Sequence, residues 1–496
     1  MTTVMPGPGR RAWLLLLLMC STQFLNVANI SSVNIALPDI AADLGFSAAT
    51  LPWVVSAYLL TFAGFLLVSG RIADLFGRRK VLTIGFTIFA ASTLVDAVAV
   101  NPQMLVAARA VQGIGAAATI PAALGILTST FIEASARSRA VAAFGAAGAV
   151  GFACGLILGG VVTGPLGWRW VFGLTAVPAV VLLALTFRFV PRDATSDLAT
   201  GRVDVIGALT ATSGLLGLVF ALTNAARSGW GSPGTLSALI GGVVLLGAFL
   251  WAQARVREPL MPLSLFRRPD LAAVVVIGFC LFAAWVGANY FLVLTLQRVL
   301  GYSAGEAAMA LLPLAIGGLI FATLAGRLLP RTGPKPLLVV GLTVYVAGLG
   351  LMAVIETGTG YWPHILVAIV LAVAGNSITF VAANVVALAS ARLDDQSLVG
   401  GLFNTGMQVG GGLGLAIMSA VAAGRINAGS STGALLSGYQ AAFWTAAGIA
   451  ALGLLITAAL RRAIASEPST RTSGPTRGLR VLRRRVDRRE AIDDRA

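Results

Sequence analysis

Apolar runs of about twenty residues alternate with short polar gaps along nearly the whole chain. A helix rising 1.5 Å per residue needs about 20 mainly apolar residues to cross a hydrocarbon core about 30 Å thick. Fourteen runs meet that length: 12–38, 50–70, 81–99, 103–127, 140–163, 170–190, 203–224, 234–254, 271–297, 305–327, 336–355, 363–388, 399–424 and 437–460. Arg10 and Arg11 precede the first run, as in a signal peptide. Its apolar stretch is too long for one and no small-residue cleavage site closes it, so it reads as the first span.

The polar gaps test that count. With the N-terminus in the cytoplasm and the spans alternating, thirty of the 35 Lys and Arg residues fall on the cytoplasmic side. Four (Arg169, Arg227, Arg298 and Arg425) fall outside, and Arg109 lies within a span. This is the asymmetry of the positive-inside rule, and one missed or invented span would invert every later loop. Both termini are therefore expected in the cytoplasm, with residues 1–11 as a short cytoplasmic N-terminus and 461–496 as a basic cytoplasmic tail.

Composition agrees. The chain is 57% hydrophobic and 11% charged, with a mean hydropathy of +0.89. A soluble or disordered chain of this length is excluded. The net charge of +16 comes from arginines in the gaps and tail and not from a basic domain, so the partner is the lipid bilayer and no nucleic acid is expected. Arg-for-Lys usage and Ala/Gly richness point to a bacterial inner membrane.

Enzyme chemistry finds no foothold. Cys20, Cys154 and Cys280 sit inside apolar runs without metal-ligand or redox spacing. His364 is the single histidine, and no phosphate-binding Gly-x-x-x-x-Gly-Lys-Ser/Thr run is present. No metal or cofactor is expected.

An internal repeat points further. Gly70-Arg-Ile-Ala-Asp74-Leu-Phe-Gly77-Arg78-Arg79-Lys80 follows the second span, and Gly326-Arg-Leu-Leu-Pro-Arg-Thr-Gly333-Pro-Lys335 follows the tenth, 256 positions on. Six spans per half, with two extra spans between, explain the offset. Pseudo-symmetric halves around a site mark a secondary transporter. Gly70 and Gly77 are expected to let a short loop turn, and Asp74 to cap a helix or pair with Arg78 or Arg79.

With these motifs the chain resembles the fourteen-helix drug:proton antiporters of the major facilitator superfamily. Gly70–Lys80 matches the superfamily's loop motif. The Leu105–Ala116 segment, with Arg109, Gln112 and Gly113, looks like the family's arginine motif in span four. Gly167–Phe172 and Gly406–Gly412 are similar to further signatures. The glycine stripe Gly151, Gly155, Gly159 and Gly160 in span five resembles the antiporter motif, and such a stripe lets another helix approach closely. The resemblance implies an all-α integral membrane protein of the major facilitator fold. Two six-helix bundles, 12–190 and 271–460, would flank two additional peripheral helices at 203–254. It implies alternating access, proton exchange and export of hydrophobic drugs or antibiotics by a monomer.

Two positions depart from the family. Its span-one Asp is Asn29, nine residues before Pro38, and the Pro after the second glycine of the antiporter motif is Leu156. An amide carries no proton, so a same-fold facilitator or uptake transporter is the alternative. Arg109, about 10 Å into its span, is too deep for a loop arginine, because a charge there costs roughly 2.5–3.5 kcal/mol unless compensated. Asp96 lies at similar depth on the neighbouring span and is the candidate to pair with Arg109 and carry the proton. The amides Asn26, Asn29, Gln112, Asn289, Asn404 and Gln408, with Tyr290, are candidates for substrate contact, and Tyr58 is a candidate aromatic wall.

Overall fold

Hydrophobic length and capping chemistry together set the helices. The computed structural model describes residues 10–192, 204–256, 259, 263, 267–390, 396–426 and 432–459. Among them are fourteen α-helices and no strand: α1 Arg10–Leu44, α2 Trp53–Phe76, α3 Arg78–Ala97, α4 Pro102–Thr130, α5 Ala134–Leu166, α6 Arg169–Phe189, α7 Val205–Ser228, α8 Pro233–Gln253, α9 Pro269–Leu294, α10 Ala304–Thr332, α11 Pro334–Met352, α12 Leu366–Ala389, α13 Gln396–Arg425 and α14 Thr432–Ala459. Thirteen are long and apolar enough to cross a membrane singly. The fourteenth, α2, does so as two segments bent by 47° between Leu66 and Val68. The tail 461–496 and residues 1–9 lie outside the described residues.

The polar gaps supply the caps. Asn101 accepts from Met104 N, Asp204 from Gly207 N, and Ser303 with Glu306 forms a reciprocal capping box. Arginines close helix C-termini at one end of the bundle. Arg78 donates to Gly125 O, inside α4, at 2.7 Å; at helix C-termini Arg79 donates to Phe187 O at 2.8 Å and Arg268 to Ser390 O at 3.0 Å. A cation there meets the unpaired carbonyls and the negative end of the helix dipole. We call this the basic end. At the opposite end, Arg169 and the Trp168 indole hold Asp43, and Arg169 also reaches Ala99 O at 3.0 Å.

The repeat seen in one loop extends through the packing. A Cβ on Gly115 of α4 would meet Phe89 and Gly85 of α3; one on Gly375 of α12 would meet Tyr345 and Gly341 of α11. Likewise Gly151 and Gly155 of α5 lie on Phe24 and Ala28 of α1, and Gly410 and Gly414 of α13 lie on Phe279 and Ala283 of α9. With little hydrophobic drive between helices in lipid, such small-residue crossings supply close van der Waals packing.

The halves meet along two seams, α5 with α10 and α2 with α13, and α7 lies against both helices of the second seam. There a Cβ on Gly64 would fall 1.8 Å from Thr212 Oγ1. Helix α8 packs on α7, held by Gln253 Nε2 to Asp204 at 2.5 Å and by Asn224 to Thr235 at 3.0 Å.

The sequence expectation for the gating loop needs one correction. Gly70 does not turn a loop; it lies inside α2, which runs on to Phe76. Gly77 alone separates α2 from α3, at φ +104, where side-chain-bearing residues are strained. Asp74 pairs with Arg78 at 3.3 Å, one turn on.

Candidate functional site: a buried arginine hub

Four helices of the first half each turn two polar groups, one turn apart, toward a common point. Helix α1 brings Asn26 and Asn29, α2 Val54 and Tyr58, α3 Thr93 and Asp96, and α4 Arg109 and Gln112. Residues three or four apart share a helix face, so one interhelical approach engages both.

Arg109 is the centre and is 1% exposed. Its Nη1 donates to Asn29 Oδ1 at 2.8 Å and to Gln112 Oε1, its Nε donates to Val54 O at 3.0 Å, and its guanidinium lies 4.5 Å from the Tyr58 ring centroid. A buried guanidinium is tolerated when its donors are engaged, and charge-assisted bonds from Nε and Nη1 together with an aromatic face engage it here. The network continues both ways. Gln112 Nε2 donates to Thr93 Oγ1 at 2.6 Å, the Tyr58 hydroxyl reaches Asn26 Oδ1 at 3.4 Å, and Asn26 Nδ2 reaches Thr22 O at 2.9 Å and Thr119 Oγ1 at 3.3 Å.

Asn29 spends its oxygen on Arg109 and leaves its Nδ2 buried without a hydrogen bond. Asp96 is fully buried, and neither carboxylate oxygen has a hydrogen-bond partner. The direct Asp96–Arg109 ion pair expected from sequence is not formed. Arg109 turns toward α1 and α2, and Gln112 bonds both Arg109 and Thr93. Asp96 stands one turn of α3 from Thr93.

The remaining candidates lie elsewhere. Gly151, Gly155 and Gly159 seat α5 on α1, and a Cβ on Gly155 would fall 2.4 Å from Ala28 O. Leu156, in the place of the family's proline, is buried. Gly160 faces the other way: its Cβ would fall 2.4 Å from Ala308 Cβ on α10, so it is a contact between halves. Asn289 bonds back to Trp285 O at 2.8 Å. Tyr290 is buried, edge-on to Phe291, which in turn meets Tyr439. On α13, Asn404 is exposed and Gln408 buried one turn further. None of these four touches the arginine hub. His364 pairs with Leu351 O at 2.9 Å, a structural tie.

Sequence reasoning missed two contributors. Thr93 carries no signal, since a threonine inside an apolar helix is ordinary. Gln297, in a π-helical turn (Thr295–Val299) after α9, donates to Ile35 O of α1 at 2.9 Å and so ties the halves near the end opposite the basic one.

The doubled helical bundle, its small-residue seams and a buried charge hub in one half define a membrane-spanning secondary transporter. The family model described as Major Facilitator Superfamily matches residues 19–415 and 275–490, and the chain belongs to that superfamily. It is 36% identical over 463 residues to the puromycin resistance protein pur8 of Streptomyces alboniger, covering 92% of this chain and 91% of that one. It is 34% identical over 413 residues to the cephamycin export protein CmcT of Amycolatopsis lactamdurans, covering 82% and 84%. Among solved structures, the POT family transporter PepTSo aligns with a TM-score of 0.68 over 92% of this chain and 99% of its own, at 14% identity, a likeness of fold. The chain is a transporter and not an enzyme.

Proposed function

We propose that this protein exports hydrophobic small molecules, antibiotics among them, across a bacterial inner membrane in exchange for protons, working as a monomer by alternating access. The observation that carries the reading is the Arg109 hub, which ties α1, α2 and α4 through side chains able to exchange partners. Relatives named for puromycin resistance and cephamycin export support the direction and the substrate class. The positive-inside asymmetry supports a cytoplasmic basic end with both termini inside. The seams at Gly160–Ala308 and Gln297–Ile35 then lie toward the outer face. Rocking of the 12–190 and 271–460 bundles about these seams, beside the accessory pair 203–254, would open each side in turn.

Asp96 is our proton carrier. It is the one fully buried acid among the described residues, and a change of charge at its carboxyl would act on Arg109 through the low-dielectric interior, with no hydrogen bond joining the two. Asn26, Asn29 and Gln112 supply substrate hydrogen bonds in the first half; Asn289, Tyr290, Asn404 and Gln408 do so in the second. Asp74, Gly77, Arg78 and Arg79 gate the cytoplasmic end. No cofactor beyond the gradient takes part.

One observation favours a second reading: Asn29 stands where the family's span-one acid would meet Arg109, which fits a facilitator or uptake system. Expression in a drug-sensitive bacterium separates them. Export predicts raised tolerance to puromycin or ethidium, abolished by a protonophore. Unchanged or lowered tolerance contradicts it.

A further inference from the structure

Away from the hub, a recess of about 800 Å³ opens between the halves at the end opposite the basic one. One wall is the end of α1 with the α5–α6 turn; the other is the π-helical turn after α9 with the start of α10. Its four charged residues sort themselves by what they touch. Asp43 and Arg169 neutralise each other at 2.5 Å. Asp39, on the first half, has no hydrogen-bond or ion-pair partner. Arg298, on the second half, lines both this recess and a narrow cavity beside Tyr290 and Tyr439, and no acidic side chain among the described residues pairs with it. The recess therefore presents one uncompensated anion and one uncompensated cation, on opposite walls. Between them Thr163, 3% exposed, leaves its hydroxyl without a partner.

We propose that this recess binds a small zwitterion, its ammonium on Asp39 and its carboxylate on Arg298. A ligand with one charge would leave the opposite wall desolvated and unpaired, which gives the site its selectivity. Binding of the zwitterion stands on the recess alone; its place as the release side for exported substrate rests on the export reading.

The test uses the purified full-length protein in detergent and isothermal titration with L-biphenylalanine, its methyl ester (ammonium only) and its N-acetyl derivative (carboxylate only). The zwitterion should bind at least about tenfold more tightly than either derivative, each lost pair being worth about 1.4 kcal/mol or more. Asp39→Asn should weaken the zwitterion and the ester about tenfold and leave the N-acetyl compound unchanged. Arg298→Gln should give the reverse pattern. Both side chains face solvent at least in part, so melting temperatures near wild type are expected and show that the variants are folded. Absence of zwitterion binding, or binding that ignores both substitutions in folded protein, overturns the proposal. Arg109→Ala should keep this binding while losing transport. The charge pattern without gradient-driven flux would leave the recess standing and the export reading fallen; flux without the pattern would do the opposite.

Discussion

Arg109 donates to the side-chain oxygen of Asn29 at 2.8 Å, on a helix eighty positions earlier in the chain. The guanidinium thus meets an amide at the position where related antiporters carry an acid. Its neutralisation comes from dipoles and a ring, not from a counter-charge. Arg109→Ala would strip the Asn29 and Gln112 side-chain oxygens of a donor while leaving them buried, at about 1–3 kcal/mol each. Insertion should persist, since the span stays apolar, while dye efflux from cells falls to background. Arg109→Lys should rescue little, because one ammonium cannot reproduce the fork that reaches two helices and a carbonyl. Efflux near wild type in either variant would remove Arg109 from the centre of the mechanism.

Asn29→Asp provides a second measurement. The amide nitrogen of Asn29 is a buried donor with nothing to give to, whereas a carboxylate offers acceptors on both oxygens to the guanidinium. The variant should melt higher, by roughly 1–3 kcal/mol of relieved desolvation. Intrinsic tryptophan fluorescence during heating checks this. A lower melting temperature would mean that Asn29 Nδ2 is serving a partner in the membrane.

Gly160→Val tests the seam. Its side chain would enter the space of Ala308 on the other half. The end opposite the basic one should be held apart, seen as a longer distance between spin labels at Gly164 and Met309 in a cysteine-free background. The analogous Gly155→Val acts within one half and should instead lower stability, because its obstacle is α1 backbone. Equal distances in wild type and Gly160→Val would show that this contact does not set the closed state.

Gly77→Ala addresses the single-residue link between α2 and α3. A side chain at φ +104 costs about 1–3 kcal/mol. Expression and melting temperature should drop, whereas Gly70→Ala, inside α2 with its nearest neighbour 3.6 Å away, should be tolerated.

These contrasts mark what the sequence made legible. Span length and the side of each arginine are local properties, so the fourteen helices followed from composition in windows. The repeat was visible at only one loop. Gly115 and Gly375 lie four positions further apart than Gly85 and Gly341, so the extra residues between α11 and α12 hide the equivalence that packing restores. Gly70 and Gly77 look alike in the motif, and only backbone conformation separates a helical glycine from a turning one. For the hub, the cost of burying a charge pointed to Arg109, but its partners depend on which way the side chain turns. Depth along two neighbouring helices placed Asp96 near Arg109 without revealing that Arg109 spends its hydrogen bonds on Asn29, Gln112 and Val54 and leaves Asp96 without one. Tyr290 is aromatic and polar in sequence, yet it packs against Phe291 in the second half.

Proton exchange through Asp96 is the central claim, and proteoliposomes enclosing a pH-sensitive dye test it most directly. Adding ethidium to one side of vesicles without an imposed gradient should drive a counter-movement of protons that alters the dye signal. Asp96→Asn should abolish that signal while ethidium still equilibrates. Ethidium movement with no proton signal in the wild-type protein, or an undiminished signal in Asp96→Asn, would contradict the account.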